Sequence, residues 1–230
     1  MIIGGFHKFS LIDYPGKICA IVFTCGCNFR CPYCHNPELV EPGENQPALD
    51  EKKILTFLEK RKGMLDAVTV TGGEPLLQPD LNSFLLEIKR MGYKIKLDTN
   101  GSFPSILEKI LKTQSIDFIA MDIKTAPDKY EHVVKRKIEK EKILNSIRLI
   151  MESGLDYEFR TTIVKSLIEK DDFYEIGRSI KNSRSYVLQK FVQSKTLDNQ
   201  FLHIDNYSEQ ELENIKNIME GFVRKCTIRQ

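Results

Sequence analysis

An α/β fold built on a parallel sheet is predicted for this chain of 230 residues. Two observations predict it. Short apolar runs rich in β-branched residues alternate with stretches of helical period almost from end to end. Six such runs occur, each followed by a helical stretch, and consecutive parallel strands need a crossover of that kind. With 41% of residues hydrophobic, the chain can bury one sizeable core. A single domain over 1–230 is therefore expected, with its core over about 16–192 and a C-terminal helix over about 208–224.

The elements follow in order. Residues 18–24 (ICAIVFT) read as a buried strand that runs into a cysteine-rich loop, and 51–62 place Ile54, Leu55 and Leu58 on one helical face. The β-branched run 67–71 (AVTVT) stops at Gly72-Gly73, and 81–91 repeat the helical pattern through Phe84, Leu85 and Ile88. Residues 94–99 (KIKLDT) alternate as a strand does and end at Asn100-Gly101. A helix over 104–111 has Pro near its start. A strand over 118–123 (FIAMDI) precedes a long helix over 140–151 with Ile143, Leu144, Ile147 and Ile150 inward. Two further strands, 156–164 and 186–191, flank a helix over about 173–180. Ser208 opens the last helix, and Glu211 at its third position suits a capping box. Residues 37–49 and 193–207 are connections across which the alternation resumes, so neither reads as a domain linker.

Composition narrows the function classes. A net charge of +2 gives no global field to draw nucleic acid or an anionic membrane surface. No apolar run approaches the roughly 20 residues that span a bilayer, and the N-terminal residues lack the pattern of a signal peptide. Of six cysteines, Cys25, Cys27, Cys31 and Cys34 fall within ten residues. That clustering suits a metal site in a reducing cytoplasm better than a disulfide scaffold.

In parallel α/β proteins ligands bind outside the carboxyl ends of the strands, and here those ends carry polar groups. The second predicted strand ends at Thr71-Gly72-Gly73-Glu74-Pro75, the third at Asp98-Thr99-Asn100-Gly101 and the fourth at Asp122-Ile123-Lys124, while the fifth carries Arg160. Each has an ordinary alternative. Gly-Gly and Asn-Gly are common turns, Asp98 and Asp122 would suit helix caps but stand several residues short of the next helix, and Lys124 and Arg160 would serve as solvated charges. A guanidinium on a buried rim more often holds a carboxylate or phosphate.

Cys27, Cys31 and Cys34 have the spacing C-x3-C-x2-C. Three thiolates on one short loop can hold three corners of a cubane iron–sulfur cluster, whose fourth iron is then open to substrate. A tetrathiolate zinc site that includes Cys25 is an alternative, although the compressed C-x-C start makes tetrahedral closure awkward. Cys31-Pro32-Tyr33-Cys34 also fits a glutaredoxin-type dithiol, which would leave Cys27 and the strand ends unexplained. Cys19 lies inside a predicted strand and reads as a small buried hydrophobe; Cys226 reads as incidental.

With Gly72-Gly73-Glu74-Pro75, the cysteine spacing resembles the radical S-adenosylmethionine (SAM) superfamily over most of the chain, from about Ser10 to Phe191. The segments 10–16 (SLIDYPG) and 23–37 (FTCGCNFRCPYCHNP) are similar to the glycyl-radical activases, most of all those that activate anaerobic ribonucleoside-triphosphate reductase. The resemblance implies a (β/α)6 partial TIM barrel with a [4Fe-4S] cluster on Cys27, Cys31 and Cys34 and SAM on the open iron. It sets Tyr33, with Cys34, His35 and Asn36, against the adenine, and Gly72, Gly73 and Glu74 at the SAM amino group. Asp98 and Asp122 match a region near the SAM methionine where a monovalent cation can bind, and Lys124 and Arg160 match groups that meet the SAM carboxylate or ribose. One departure stands out: pyruvate formate-lyase activases carry a His after the sixth-strand aromatic, where this chain has Val192 after Phe191.

The implied reaction is reductive cleavage of SAM to a 5′-deoxyadenosyl radical, which takes hydrogen from a glycine of a partner glycyl-radical enzyme. A flavodoxin- or ferredoxin-type donor would supply the electron, and loops 37–49 and 193–207 would line the way in for the partner. Two alternatives stay open from sequence: a radical SAM enzyme acting on a small molecule, such as a 7-carboxy-7-deazaguanine synthase, and a non-enzymatic zinc- or cluster-binding module.

Overall fold

A computed structural model describes residues 1–41, 43 and 48–229. In order, the elements are β1 (Ile3–Ser10), β2 (Cys19–Thr24), α1 (Pro37–Val40), α2 (Glu51–Lys60), β3 (Ala67–Gly72), α3 (Leu81–Arg90), β4 (Lys94–Thr99) and α4 (Pro104–Lys112). They continue with β5 (Phe118–Asp122), α5 (Tyr130–Val134), α6 (Lys140–Glu152), β6 (Asp156–Ile163), α7 (Lys170–Ser179), β7 (Tyr186–Lys190), α8 (Glu209–Glu220) and β8 (Cys226–Arg229). The chain gathers into two compact units, one of Met1–Asn28, Glu38–Thr99 and Ser105–Ile119, the other of Phe29–Pro37, Asn100–Pro104 and Ala120–Gln230.

In the first unit β2 pairs in parallel with β3, and β3 with β4. Val68, Val70, Ile95 and Leu97 are fully buried between the strands and their helices, as expected of a parallel sheet covered on its faces. The amide of Lys52 donates to the Asp50 side chain, which caps α2, and α2 buries Ile54 and Leu58. The α3 helix turns Leu81, Phe84, Leu85 and Ile88 inward, and α4 does the same with Leu107 and Ile110. The second unit repeats this logic. There β6, β7 and β8 run parallel to one another. The α6 helix buries Ile143, Ile147 and Ile150, so Leu144, expected inward, instead lies on its exposed side. Ser208 and Glu211 form the reciprocal capping box that the sequence predicts for α8, and α7 has a second one made by Glu169 and Asp172.

Two strands were not expected. The first, β1, pairs antiparallel with β2 and adds an edge to the parallel sheet. Its sequence, IGGFHKFS, lacks the apolar alternation of the others, and backbone pairing carries it. The second, β8, has only four residues, too few to show a period. It places Cys226, which sequence treats as incidental, as a buried strand residue.

Candidate active site

The site builds from the ends of the strands. Beyond β2, the amide of Cys25 donates to the Ile2 carbonyl (2.9 Å), Gly26 to Leu39 (2.7 Å) and Cys27 to Val40 (3.2 Å). The short α1 thus lends carbonyls that its own last turn leaves unpaired. From the end of β3, Gly73 donates to the Thr24 carbonyl and Glu74 to that of Gly26, both at 2.8 Å. The two strand ends are laced together, and the lacing explains the glycine pair. Gly72 has φ +120°, and a Cβ there would stand 2.3 Å from the Thr24 nitrogen; one on Gly73 would stand 2.1 Å from the Gly26 carbonyl oxygen. Only residues without Cβ fit.

Glu74 is fully buried. Its Oε1 accepts from the Leu76 amide (3.1 Å) and from the Thr99 hydroxyl (2.7 Å) at the end of β4. On the same strand Lys96 is buried and pairs with Asp98.

In the second unit the Cys31-Pro32-Tyr33-Cys34 segment is a turn closed by the Cys34 amide on the Cys31 carbonyl (3.0 Å). Asp198 donates its amide to Pro32 (2.9 Å), and Arg30 donates to Val134 at the end of α5 (2.8 Å). The Tyr33 ring meets Phe191 edge-on at 6.3 Å, and His35 stacks on Phe191 at 5.3 Å with the planes 4° apart. His35 Nε2 lies 2.8 Å from the Val192 carbonyl, so Nε2 carries a proton and donates it. The position that lacks a histidine therefore contributes its backbone to a different one. Asn36 is half-buried.

At the end of β5, Asp122 Oδ1 accepts from Arg160 Nε (2.8 Å) and Oδ2 from Lys124 Nζ (3.1 Å). Burial pushes the Asp122 carboxyl up, but Arg160 and Lys124 outweigh it and hold the group well below the usual carboxylate range. Burial likewise works against the Lys124 ammonium, yet Asp122, with Tyr33 and Cys31, raises it well above an ordinary lysine. Glu158, also buried, accepts from both terminal nitrogens of Arg229 (2.9 and 2.8 Å), with Arg160 Nη1 3.9 Å away. Two hydroxyls near Lys124, those of Tyr33 and Thr125, are buried with no hydrogen-bond partner among the described residues. Orphaned groups of this kind cost about 1–3 kcal/mol each unless a ligand satisfies them.

Of the residues described above, sequence reasoning named the cysteines, Tyr33, the Gly-Gly-Glu run and the charged strand ends. It missed Lys96, Glu158 and Arg229. The first two stand two residues before Asp98 and Arg160, on the same strand faces, and the period-2 rule would have flagged them. Asn100 proved to be a turn residue. Its Oδ1 accepts from the amide and hydroxyl of Ser102, and Gly101 (φ +76°) leaves no room for a Cβ beside Met121.

None of the six cysteines is in a disulfide. Among the described residues no three His, Cys, Asp or Glu side chains gather as a single-ion site, whereas a cubane cluster holds its thiolates at separate corners. The donor set suits a [4Fe-4S] cluster: three thiols in the spacing C-x3-C-x2-C on one short stretch of chain, in which the amides of Cys27 and Cys34 are held by backbone hydrogen bonds.

Residues 21–177 match the family model described as the radical SAM superfamily. The chain belongs to the radical SAM superfamily. Members of this superfamily work with a [4Fe-4S] cluster and SAM, and the radical SAM assignment replaces the zinc-module and glutaredoxin-type alternatives. A Methanocaldococcus jannaschii protein, provisionally named a glycyl-radical enzyme activating enzyme, is 32% identical over 99% of this chain and 95% of its own length. The pyruvate formate-lyase-activating enzyme of Clostridium pasteurianum is 32% identical over 80% of this chain and 79% of its own. The fold of this radical SAM chain also matches SuiB of Streptococcus suis bound to S-adenosylmethionine, with TM-score 0.70 and 14% identity over 91% of this chain and 49% of SuiB. This chain spans about half the length of SuiB. Coproporphyrinogen III oxidase (HemN) of Escherichia coli matches with TM-score 0.58 and 14% identity over 91% of this chain and 53% of its own.

Proposed function

We propose that the chain is a glycyl-radical enzyme activase and that its partner is an anaerobic ribonucleotide reductase. One observation carries the activase reading: the similarity to a glycyl-radical enzyme activating enzyme runs over nearly the full length of both chains. The choice of partner rests on the resemblance of segments 10–16 and 23–37. Cys27, Cys31 and Cys34 hold the cluster, which with SAM supplies one-electron cleavage of the sulfonium and hydrogen-atom abstraction. The remaining work falls to this chain's own residues. Gly72, Gly73 and Glu74 shape the loop and present the SAM amino group with a carboxylate and backbone acceptors. Lys124 and Arg160 offer positive charge to the SAM carboxylate or ribose, and the surplus charge there favours an anion: three cations, with Arg229, face two carboxylates. Tyr33, Cys34, His35 and Asn36 line the adenine, and the Tyr33 hydroxyl gains the hydrogen bond that it lacks.

Both compact units belong to one catalytic domain over 1–230. The protein works in a reducing cytoplasm with a flavodoxin- or ferredoxin-type donor; among the described residues no helix is long and apolar enough to cross a membrane. Loop 193–207 lines the way in for the partner. Loop 37–49, assigned the same role, falls partly outside the described residues.

Electron paramagnetic resonance tests the reading. Anaerobically reconstituted protein, reduced and mixed with SAM and an anaerobic ribonucleotide reductase, is expected to give the doublet of a glycyl radical. A doublet with pyruvate formate-lyase alone would reassign the partner, and no 5′-deoxyadenosine under any condition would sink the reading.

A further inference from the structure

Asp98 and Asp122, the two carboxylates around which the resemblance allows a monovalent cation, each face a cation that the chain already owns. In the first unit Lys96 is 2% exposed and its ammonium lies 2.5 Å from Asp98 Oδ1. The two residues share one face of β4, where Lys96 stands opposite Thr69 of β3. Taking an ammonium out of water is costly unless a carboxylate accompanies it. No step assigned so far uses Lys96. In the second unit Asp122 is held by Arg160 and Lys124. Its neighbour Glu158 is engaged through both oxygens by Arg229, so that group as a whole keeps a positive surplus.

A metal ion is held by donors whose negative charge it neutralises. Here Asp98 has been neutralised by an ammonium of the same charge as Na⁺ or K⁺, and a metal at Asp122 would enter a positive field. Neither carboxylate fits a recruited cation.

We propose that Lys96 is a built-in monovalent cation: its ammonium stands on Asp98 in place of an exchangeable metal ion, and this chain positions SAM without one. The proposal rests on the reading that the chain binds SAM, and Lys96 acts through Asp98 as a positioning residue. The charge is tethered and buried, so solution cations do not compete with it.

The test is SAM affinity, measured calorimetrically on cluster-reconstituted protein in buffers whose cation is Na⁺, K⁺ or tetramethylammonium. Wild-type affinity is expected to agree within about twofold across the three. Lys96→Met is expected to lose about tenfold or more in tetramethylammonium and to recover most of it in K⁺ or Na⁺. Lys96→Arg, which keeps the charge, is expected to show no such rescue by metal ions because it needs none. A wild-type affinity that drops about tenfold in tetramethylammonium overturns the proposal. So does a Lys96→Met protein whose affinity is unchanged, or whose loss neither ion repairs, since the role is then one of packing alone. If Lys96→Met does not fold, the wild-type series decides. Wild-type protein that binds no SAM in any salt overturns the SAM reading along with this proposal, which separates the two failures.

Discussion

At the scale of single residues, the glycine pair gives the sharpest expectation. A methyl group on Gly73 has to displace the Gly26 carbonyl, which is part of the backbone that carries Cys27. Gly73→Ala is expected to fold with a stability loss on the order of 1–3 kcal/mol and to retain less than half the iron of wild type after reconstitution, read by iron assay and thermal melting. Iron content equal to wild type would refute the role given to the close approach. The thiols divide in the same way. Burial pushes the Cys226 thiol up to about 12 and raises Cys19 and Cys25, whereas Cys27 and Cys34 are partly exposed. In native cluster-free protein at pH 8, mass spectrometry after brief iodoacetamide treatment should find Cys27 and Cys34 alkylated and the four buried thiols, Cys19, Cys25, Cys31 and Cys226, protected. The cysteine loop stood out in sequence because the spacing of the proposed cluster ligands is a local feature of one short stretch of chain. Lys96 and Glu158 were harder to read, because a charge inside a strand gains meaning only once its face is known.

At the scale of elements, β8 adds a charge partner as well as an edge. Its Arg229 neutralises Glu158, which lies two residues before Arg160 on β6. Arg229→Ala leaves a buried carboxylate whose remaining cation is Arg160. The expected cost is about 1–3 kcal/mol, below that of a fully buried pair because Arg229 stays partly solvated, and chemical denaturation measures it. The cap of α8 offers a control remote from the chemistry. Ser208→Ala should cost about 1 kcal/mol with SAM cleavage unchanged. The central strands and long helices were readable because six to thirteen residues display a period. In contrast, β1 and β8 owe their existence to a neighbouring strand's unpaired backbone, and no pattern in their own sequences announces that.

For the whole molecule, acid should be the weak side of the stability profile. Asp122 is held well below the usual range by Arg160 and Lys124 against the pull of burial. Asp117 is likewise lowered, its burial offset by hydrogen bonds from Lys89 and Lys94. A carboxyl with a depressed folded-state pKa contributes its stability in full above the unfolded value of about 4 and loses it as pH falls further. The urea midpoint of the cluster-free protein should therefore hold steady down to about pH 5 and decline below about pH 4. Asp117→Asn should flatten that decline, and an unchanged slope would show that other groups govern it. The fold class was readable at this scale from alternation alone. The division into two compact units was not, since the chain passes between them after Asn28, Pro37, Thr99, Pro104 and Ile119, where composition does not change.

The loop that carries Cys25 and Cys27 takes its shape from amides and carbonyls of α1, β2 and β3, and none of those bonds involves sulfur. On the proposed reading, iron is therefore a guest in a seat that is already upholstered. After oxygen strips the cluster, this part of the seat should persist, and repair becomes a matter of delivering iron and sulfide to a folded protein. Slow deuterium uptake at the Gly26 and Cys27 amides, alike before and after iron removal, would be the signature of such a reusable enzyme.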